Sequence, residues 1–420
     1  MCQNLPVIRY RTFGLPSICL LAIALRVAYR AYAGSADFLG PDYHGYAFFW
    51  DIARNIAAGR GLGIDGAPSA IRPPIYPGFL ALVALAGGHY MLIVIPQALF
   101  GAGTVLCAFL IGNELFGQRT GMIAALLTAL YPYYVVHDTA LQETGMMTFS
   151  ATLSVYLLLR ARNSQSVATW LAAGAVLGLS VLIRTTMLPF ALASVAWIAF
   201  AGEGPGRQTG LRASVVFLAL IVGVGAWVGR NDIVFGRPIL TSEAGYQFWM
   251  AHNPQTFSRY PEESIDRSSE VAFDALTSAE RQGIEALSGN ELAQSDWFLQ
   301  RGLAYVEENP GMALTGALRK IAAGFSWVIS PRREPLVQMT YFLSYAPISI
   351  LGLLGMVLAR RDWRVHSLIY LQFLAFIAVS AIFWAHTSHR AYLDVYLIVF
   401  SVFASERLLA FGKRDTTHRG

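Results

Sequence analysis

Apolar runs of about membrane length recur along most of this chain, near residues 13–33, 89–114, 119–137, 143–160, 167–184, 186–201, 211–229, 339–359, 365–385 and 391–410. A helix needs about 20 mostly apolar residues to cross a bilayer. In lipid the backbone must satisfy its own hydrogen bonds, and without alternating strand patterns the helix is the solution left. The expected fold class is therefore an all-α polytopic membrane protein of about ten spans. Only 14% of the residues are charged, against about 25% in a soluble domain. The net charge of +5 comes with no basic stripe, so no nucleic-acid partner is expected. Cys2, Cys19 and Cys107 are too few and too scattered for a disulfide framework or a metal cluster.

Basic residues mark the cytoplasmic side of a membrane protein. Arg9 and Arg11, then Arg119, Arg160 and Arg162, Arg207 and Arg212, Arg360, Arg361 and Arg364, and the C-terminal Arg407 and Lys413 fall in alternate connections. Both termini are thus expected in the cytoplasm. "AYAG" at 31–34 resembles a signal-peptidase site, but Arg26 and Arg30 stand before it on one helix face, and the first span is read as uncleaved. Two long loops fall on the other side, at about 34–88 and 230–338. The chain divides accordingly into an N-terminal membrane module (1–229), a large loop region with amphipathic helices (230–338) and C-terminal spans with a cytoplasmic tail (339–420). Within the large loop, "GMALTGALRKIAAGFSWVIS" is read as an interfacial helix with Lys320 and Trp327 at headgroup level.

Ionisable groups near a membrane are costly unless paired, and so point to function. In this register Asp42, Asp51, Arg72, Asp138, Glu143, Arg184, His252, Arg332, Arg333, His386, His389 and Arg390 all fall at the non-cytoplasmic face. A transporter would place acids near the midplane; a polar group at one interface suits chemistry on a lipid headgroup. Asp42, after Pro41, stands before an amphipathic helix that ends near Gly59, where capping and catalysis both call for a carboxylate. Asp51 shares a stripe with His44, Arg54 and Asn55, which favours a local contact with Arg54. "IRPPIYPGF" (71–79) reads as a rigid elbow beside Arg72, which can grip phosphate or snorkel. Helix capping competes with function at Asp138 and Glu143, and a structural partner acid competes with phosphate binding at Arg184.

Taken together, several segments resemble family 39 of the GT-C glycosyltransferases. Asp42 and Tyr46 match its first-loop D-x-x-x-Y pattern, "ARNIAAGRG" the block after it, and "RPPIYPGFLAL" its proline elbow. "NELFGQRTGMIAALLTALYPYYVVHDTALQETGMMTF" resembles the next block, with Glu143 at its recurrent acid. "GLSVLIRTTMLPF" is similar to its arginine block, and "SHRAYLDVYLIVF" to the motif before its last span. The resemblance implies a GT-C helix bundle with periplasmic interfacial helices in a bacterial inner membrane. It implies a polyprenyl-phosphate sugar as donor and a glycolipid, lipopolysaccharide or protein hydroxyl as acceptor, with membrane lipids as surroundings. It makes Asp42 the general base of an inverting periplasmic transfer, with Asp51 as the alternative. Tyr46, Glu143 and Asp138 would orient donor or acceptor, and Arg184, Arg390 and Arg72 would bind phosphate. No cofactor is implied, the metal requirement stays open, and the rival is a lipid-linked-sugar transporter or flippase.

Overall fold

A computed structural model of the chain describes residues 14–34, 47–64, 66–162, 164–201 and 205–417. Helices carry nearly all of it. The first half runs α1 (Gly14–Ala33), α2 (Ala47–Ala57), α3 (Ile75–Leu85), α4 (Met91–Phe116), α5 (Gln118–Leu130), α6 (Pro132–His137), α7 (Thr144–Arg162), α8 (Val167–Ile183), α9 (Leu188–Ala201) and α10 (Gly206–Phe235). The large loop holds α11 (Ala244–Ala251), α12 (Ile265–Asp274), α13 (Ser278–Glu285), α14 (Glu291–Glu308) and α15 (Pro310–Gly324). Then follow α16 (Pro335–Leu358), α17 (Trp363–Ile382) and α18 (Ala391–Thr417). Among the described residues, five helices are long and apolar enough to cross a membrane: α1, α4, α10, α16 and the stretch Arg360–Ile382 around α17. The chain is a multi-pass membrane protein whose helices follow the expected order.

The differences from the sequence reading lie where proline or glycine acts. The segment near 119–137 breaks at Tyr131, whose extended backbone precedes Pro132 and starts α6. A proline disfavours the helical conformation in the residue before it. The elbow at 71–79 is shorter than expected: α3 already begins at Ile75, with Pro77 in its first turn. A proline is tolerated there because first-turn amides have no intrahelical partner. Between α2 and α3 the chain also forms a small antiparallel hairpin, Gly63–Ile64 against Ala67–Pro68.

Helix α18 is the axis of the bundle. Every residue from Ala391 to Phe400 is buried, and α4, α5, α7, α16 and α17 all pack on it. Small residues let the helices approach, as in other membrane bundles. A Cβ on Gly352 would lie 2.8 Å from the Leu397 carbonyl oxygen, and one on Gly355 would strike the Phe400 carbonyl, so α16 can lie against α18 only with glycine at both. The same device, Gly174 and Gly178, sets α8 against α10. The outer helices α10 and α16 instead expose Leu218, Val222, Leu336 and Leu343. That is the inverse of a soluble bundle.

Lys320 departs from the sequence reading. It is fully buried rather than held at headgroup level, and its Nζ donates to the Ala251 and Ile382 carbonyls (both 3.4 Å) and to His252 Nε2 (3.2 Å). Trp327 is part exposed, and its Nε1 donates to Ser349 Oγ at 3.0 Å.

Candidate functional site

The chain folds back at one end of the bundle through the connections 131–143, 184–187 and 383–390, with the first loop and the large loop beside them. These connections carry the polar residues that the sequence places at one interface. Arg184 ends α8 in extended backbone, just before a short 3-10 turn (Thr185–Met187) that leads into α9. Glu143 precedes α7, and its carbonyl accepts the Met147 amide. The two meet across the gap: Arg184 Nη2 lies 2.7 Å and Nε 3.0 Å from the same oxygen, Glu143 Oε1. Oε2 of that carboxylate is buried without a hydrogen-bond partner. A carboxylate offers about four acceptor positions. The pair is therefore half used, and its side chains remain 15% and 9% exposed.

Two histidines face this pair from the connection before α18. Burial first, then Arg184 and the neighbouring His386, with a smaller push from Arg72, hold the His389 imidazole well below its ordinary value. Burial also lowers His386, although Asp266 lies 3.8 Å from its Nε2 and pulls the other way. Neutral imidazoles beside an arginine leave the positive charge on the guanidinium. His389 lines a small cavity with Thr186, Ser380, Trp384 and Tyr392. Ser380 Oγ and Trp384 Nε1 are buried there without hydrogen-bond partners. Buried polar atoms are normally satisfied, so such a cluster marks a place for water or a ligand group.

Arg72 stands where the first loop meets the large loop. It pairs with Glu243, the residue just before α11, and lies 4.7 Å from the centre of the Phe48 ring on α2. The elbow around it is pinned: Ala70 N donates to Glu291 Oε2 (3.1 Å), Ser242 N to the Ala70 carbonyl (3.1 Å) and Arg230 to the Ser69 carbonyl (3.0 Å). Asp51 pairs with Arg54 on the exposed side of α2, as its spacing suggested.

The remaining site residues are placed differently. Asp138 is buried and bound by Arg26 of α1, Nε to Oδ2 at 2.7 Å, so it faces into the bundle. Arg390 is fully buried, with Nε on Asp394 (3.0 Å), Nη1 on the Gly324 carbonyl (2.9 Å) and Nη2 on the Tyr341 hydroxyl (2.8 Å). The Tyr345 ring stacks 3.5 Å from its guanidinium carbon. Asp42 and Tyr46 lie outside the described residues. Sequence reasoning missed the acids Glu243 and Asp394 as partners. The Arg390–Asp394 spacing of four, across the start of α18, is a signal that could have found the second; nothing local ties Arg72 to Glu243. Among the described residues no three His, Cys, Asp or Glu side chains gather as a metal site would require.

With this geometry in place, likeness to known proteins can be set against it. Residues 71–227 match the sequence profile of the family described as dolichyl-phosphate-mannose-protein mannosyltransferase. The chain is 30% identical over 135 residues to the dolichyl-diphosphooligosaccharide–protein glycosyltransferase subunit STT3B of Oryza sativa subsp. japonica, covering 31% of this chain and 19% of that protein. It is 33% identical over 110 residues to the putative mannosyltransferase YycA of Bacillus subtilis (strain 168), covering 26% of this chain and 16% of that one. Among solved structures, the archaeal oligosaccharyltransferase AglB from Archaeoglobus fulgidus, in complex with an inhibitory peptide and a dolichol-phosphate, superposes with a TM-score of 0.55 at 13% identity. That match covers 97% of this chain and 52% of the archaeal one. The matches thus span less than a fifth of each curated relative and about half of the archaeal structure. The fold is that of the GT-C membrane glycosyltransferases.

Proposed function

We propose that the chain transfers a sugar from a polyprenyl-phosphate donor to an acceptor hydroxyl, on a glycolipid, lipopolysaccharide or protein, at the periplasmic face of a bacterial inner membrane. The observation that carries this reading is the half-used Arg184–Glu143 pair at the end of the bundle, with neutral His389 beside it. The family profile over residues 71–227, and the archaeal neighbour whose structure holds a dolichol-phosphate, support the same class of donor. A sugar linked through phosphate is already activated. The protein has two tasks left: to take a proton from the acceptor and to stabilise the departing lipid phosphate.

Asp42 takes the first task as general base, accepting the proton of the acceptor hydroxyl as that oxygen attacks the anomeric carbon with inversion and the lipid phosphate leaves, and Asp51 is the alternative. Asp51 already spends an oxygen on Arg54 and stands exposed, which favours Asp42. Tyr46, four residues on, orients the reacting groups. Arg184 takes the second task. It has no hydrogen-bond partner at Nη1 among the described residues, and Glu143 fixes its plane while keeping Oε2 for an acceptor hydroxyl or a water. Arg72, on the pinned elbow and over Phe48, supplies further positive charge. Arg390 and Asp138 hold the frame: the Arg390 donors are engaged on three sides, and the Asp138 carboxylate is bound by Arg26.

The test is to incubate the purified full chain with a panel of polyprenyl-phosphate sugars and candidate acceptors, and to identify products by mass spectrometry. A transporter or flippase of lipid-linked sugars is the alternative. It would move labelled lipid across a vesicle membrane and form no new glycosidic bond.

A further inference from the structure

Beside Arg184, the end of α17 and the start of α18 enclose a recess. Its walls are Phe376 and Ser380 of α17, Trp384 and His389 of the connection, Tyr392 of α18, and Thr186, two residues from Arg184. The volume is about 20 Å³. A water needs about 10–15 Å³ measured in the same way, so the recess admits one non-hydrogen atom of a ligand. Ser380 is 1% exposed and Trp384 7%, and Ser380 Oγ and Trp384 Nε1 are both buried without hydrogen-bond partners. The indole is held from two sides, with the Phe257 ring 6.4 Å away and the His386 ring 5.3 Å away at 89°. That packing fixes the direction of its N–H.

Size and bonding together select the occupant. A carboxylate group brings three non-hydrogen atoms and an acetamido group four, and neither fits. An ammonium is small enough but has only donors, and so does the indole N–H it would meet. A C–H leaves both buried groups unpaired, which costs free energy. A hydroxyl fits on every count. It accepts from Trp384 Nε1–H and exchanges a bond with Ser380 Oγ–H. His389 donates one ring N–H to the Trp384 carbonyl, and the neutral imidazole keeps its other nitrogen as an acceptor for the hydroxyl proton.

We infer that this recess receives one hydroxyl of the donor sugar, and that Trp384, Ser380 and His389 select a hydroxyl over an amino, acetamido, carboxyl or deoxy group at that position. The sugar is the source because it is joined directly to the phosphate, and Arg184, which binds that phosphate in the proposed reaction, stands at the mouth of the recess. The subsite therefore rests on a polyprenyl-phosphate sugar as donor.

The full chain, purified in mild detergent, would be titrated with polyprenyl-phosphate mannose, glucose, galactose and arabinose, with bare polyprenyl phosphate as reference. Monodeoxy forms of the tightest-binding sugar would follow, then forms with an amino or acetamido group at the sensitive position. The expected result is a loss of about tenfold or more at one deoxy position and little at the others. The amino and acetamido forms at that position should bind no better than the deoxy form. Trp384→Phe keeps an aromatic ring and removes the N–H. It should weaken the hydroxyl-bearing donor and leave the deoxy donor unchanged, closing the gap between them. If Trp384→Phe unfolds, Ser380→Ala, which removes a single oxygen, should narrow the same gap severalfold. The inference is overturned if no sugar binds better than bare polyprenyl phosphate, or if every deoxy form binds as the parent does, as a resident water in the recess would give. A gap that survives in the folded variants would overturn it too. Selective binding with no product in any incubation would leave the subsite standing and remove the transferase reading instead.

Discussion

The interior and the end of the bundle use arginine in opposite ways. Inside, Arg26 with Asp138 and Arg390 with Asp394 are closed pairs, with side chains 0–3% exposed. All three Arg390 nitrogens are engaged, on Asp394, Gly324 and Tyr341. At the end, Arg184 and Glu143 meet through a single carboxylate oxygen, leaving the other acid oxygen and, among the described residues, Nη1 without a hydrogen bond. A buried ion pair seldom adds net stability, but removing one partner costs about 3–5 kcal/mol because the other stays charged and buried. Closed pairs are thus what a fold keeps once it has them, and a half-open pair keeps bonding capacity for something else. Burial separates the two classes better than saturation of donors, since Arg26 Nη2 is itself buried without a hydrogen-bond partner.

The largest effect expected from this division belongs to Asp42. Asn caps a helix about as well as Asp, so Asp42→Asn should express and fold normally. Loss of a general base slows transfer by about a hundredfold to ten-thousandfold. Asp51→Asn, which breaks only an exposed contact with Arg54, should keep most activity. Product formation measured on both variants decides between them; a dead Asp51→Asn with an active Asp42→Asn would reverse the assignment.

Next come the arginines themselves. Arg184→Lys keeps charge but loses the planar fork, and donor use should fall at least tenfold in a folded protein. Arg390→Lys should lose stability instead, since one ammonium cannot serve Asp394, Gly324 and Tyr341 in their fixed directions. Unfolding midpoints and donor titrations on both variants test the split. If Arg390→Lys is stable and fails only in donor binding, the closed class does not exist as described.

A third, smaller effect tests the closed class without touching a charge. A Cβ on Gly101 would lie 2.6 Å from Asp138 Oδ2 and against the Arg26 guanidinium, and one on Gly145 would lie 2.8 Å from Asp138 Oδ1. The Arg26–Asp138 pair occupies space that only these glycines leave open. Gly101→Ala should destabilise by about 1–3 kcal/mol, the usual cost of overpacking, with turnover per folded molecule unchanged. A midpoint equal to the parent's would mean the pair can move aside.

Much of the fold was legible because lipid demands long apolar helices and because basic residues alternate between connections. The break at Tyr131 and the early start of α3 were not, since a proline marks a change of conformation without saying which side the helix takes. Among the site residues, Arg184 with Glu143 and Asp51 with Arg54 could be anticipated from position. Asp138 and Arg390 could not be told from them in sequence. Arg26 and Tyr341, which hold them, are remote along the chain, although Asp394 is only four residues from Arg390, and the same acid or arginine beside a span reads alike whether it faces inward or out. Lys320 misled for the same reason: its long stem suits snorkelling, yet packing of α15 on α17 turns it inward.

Lys320 is also the most economical place to break the comparison, because it is closed without any acid. Its Nζ is held by two carbonyls and by His252 Nε2, and burial pushes its pKa down from 10.5 to about 8. His252 is lowered to about 4, by burial first and then by Lys320, so it stays neutral above that pH and accepts the bond. The sign follows from proton counting. Between pH 8 and 10.5 the unfolded chain holds the lysine proton and the folded chain has lost it, so stability rises with pH across that window. Below pH 8 the penalty of the buried charge is constant. Partial solvation should keep the rise to about 1 kcal/mol, the smallest of these effects. Lys320→Met should abolish the slope between pH 8 and 10.5 and shrink, without removing, the fall between pH 6.5 and 4, where His252 takes up its proton on unfolding and burial remains its main cause. Equilibrium unfolding at stepped pH measures both. If Lys320→Met keeps the alkaline slope, the ammonium is solvated in the folded protein, and bonding by neutral acceptors alone does not close a buried cation.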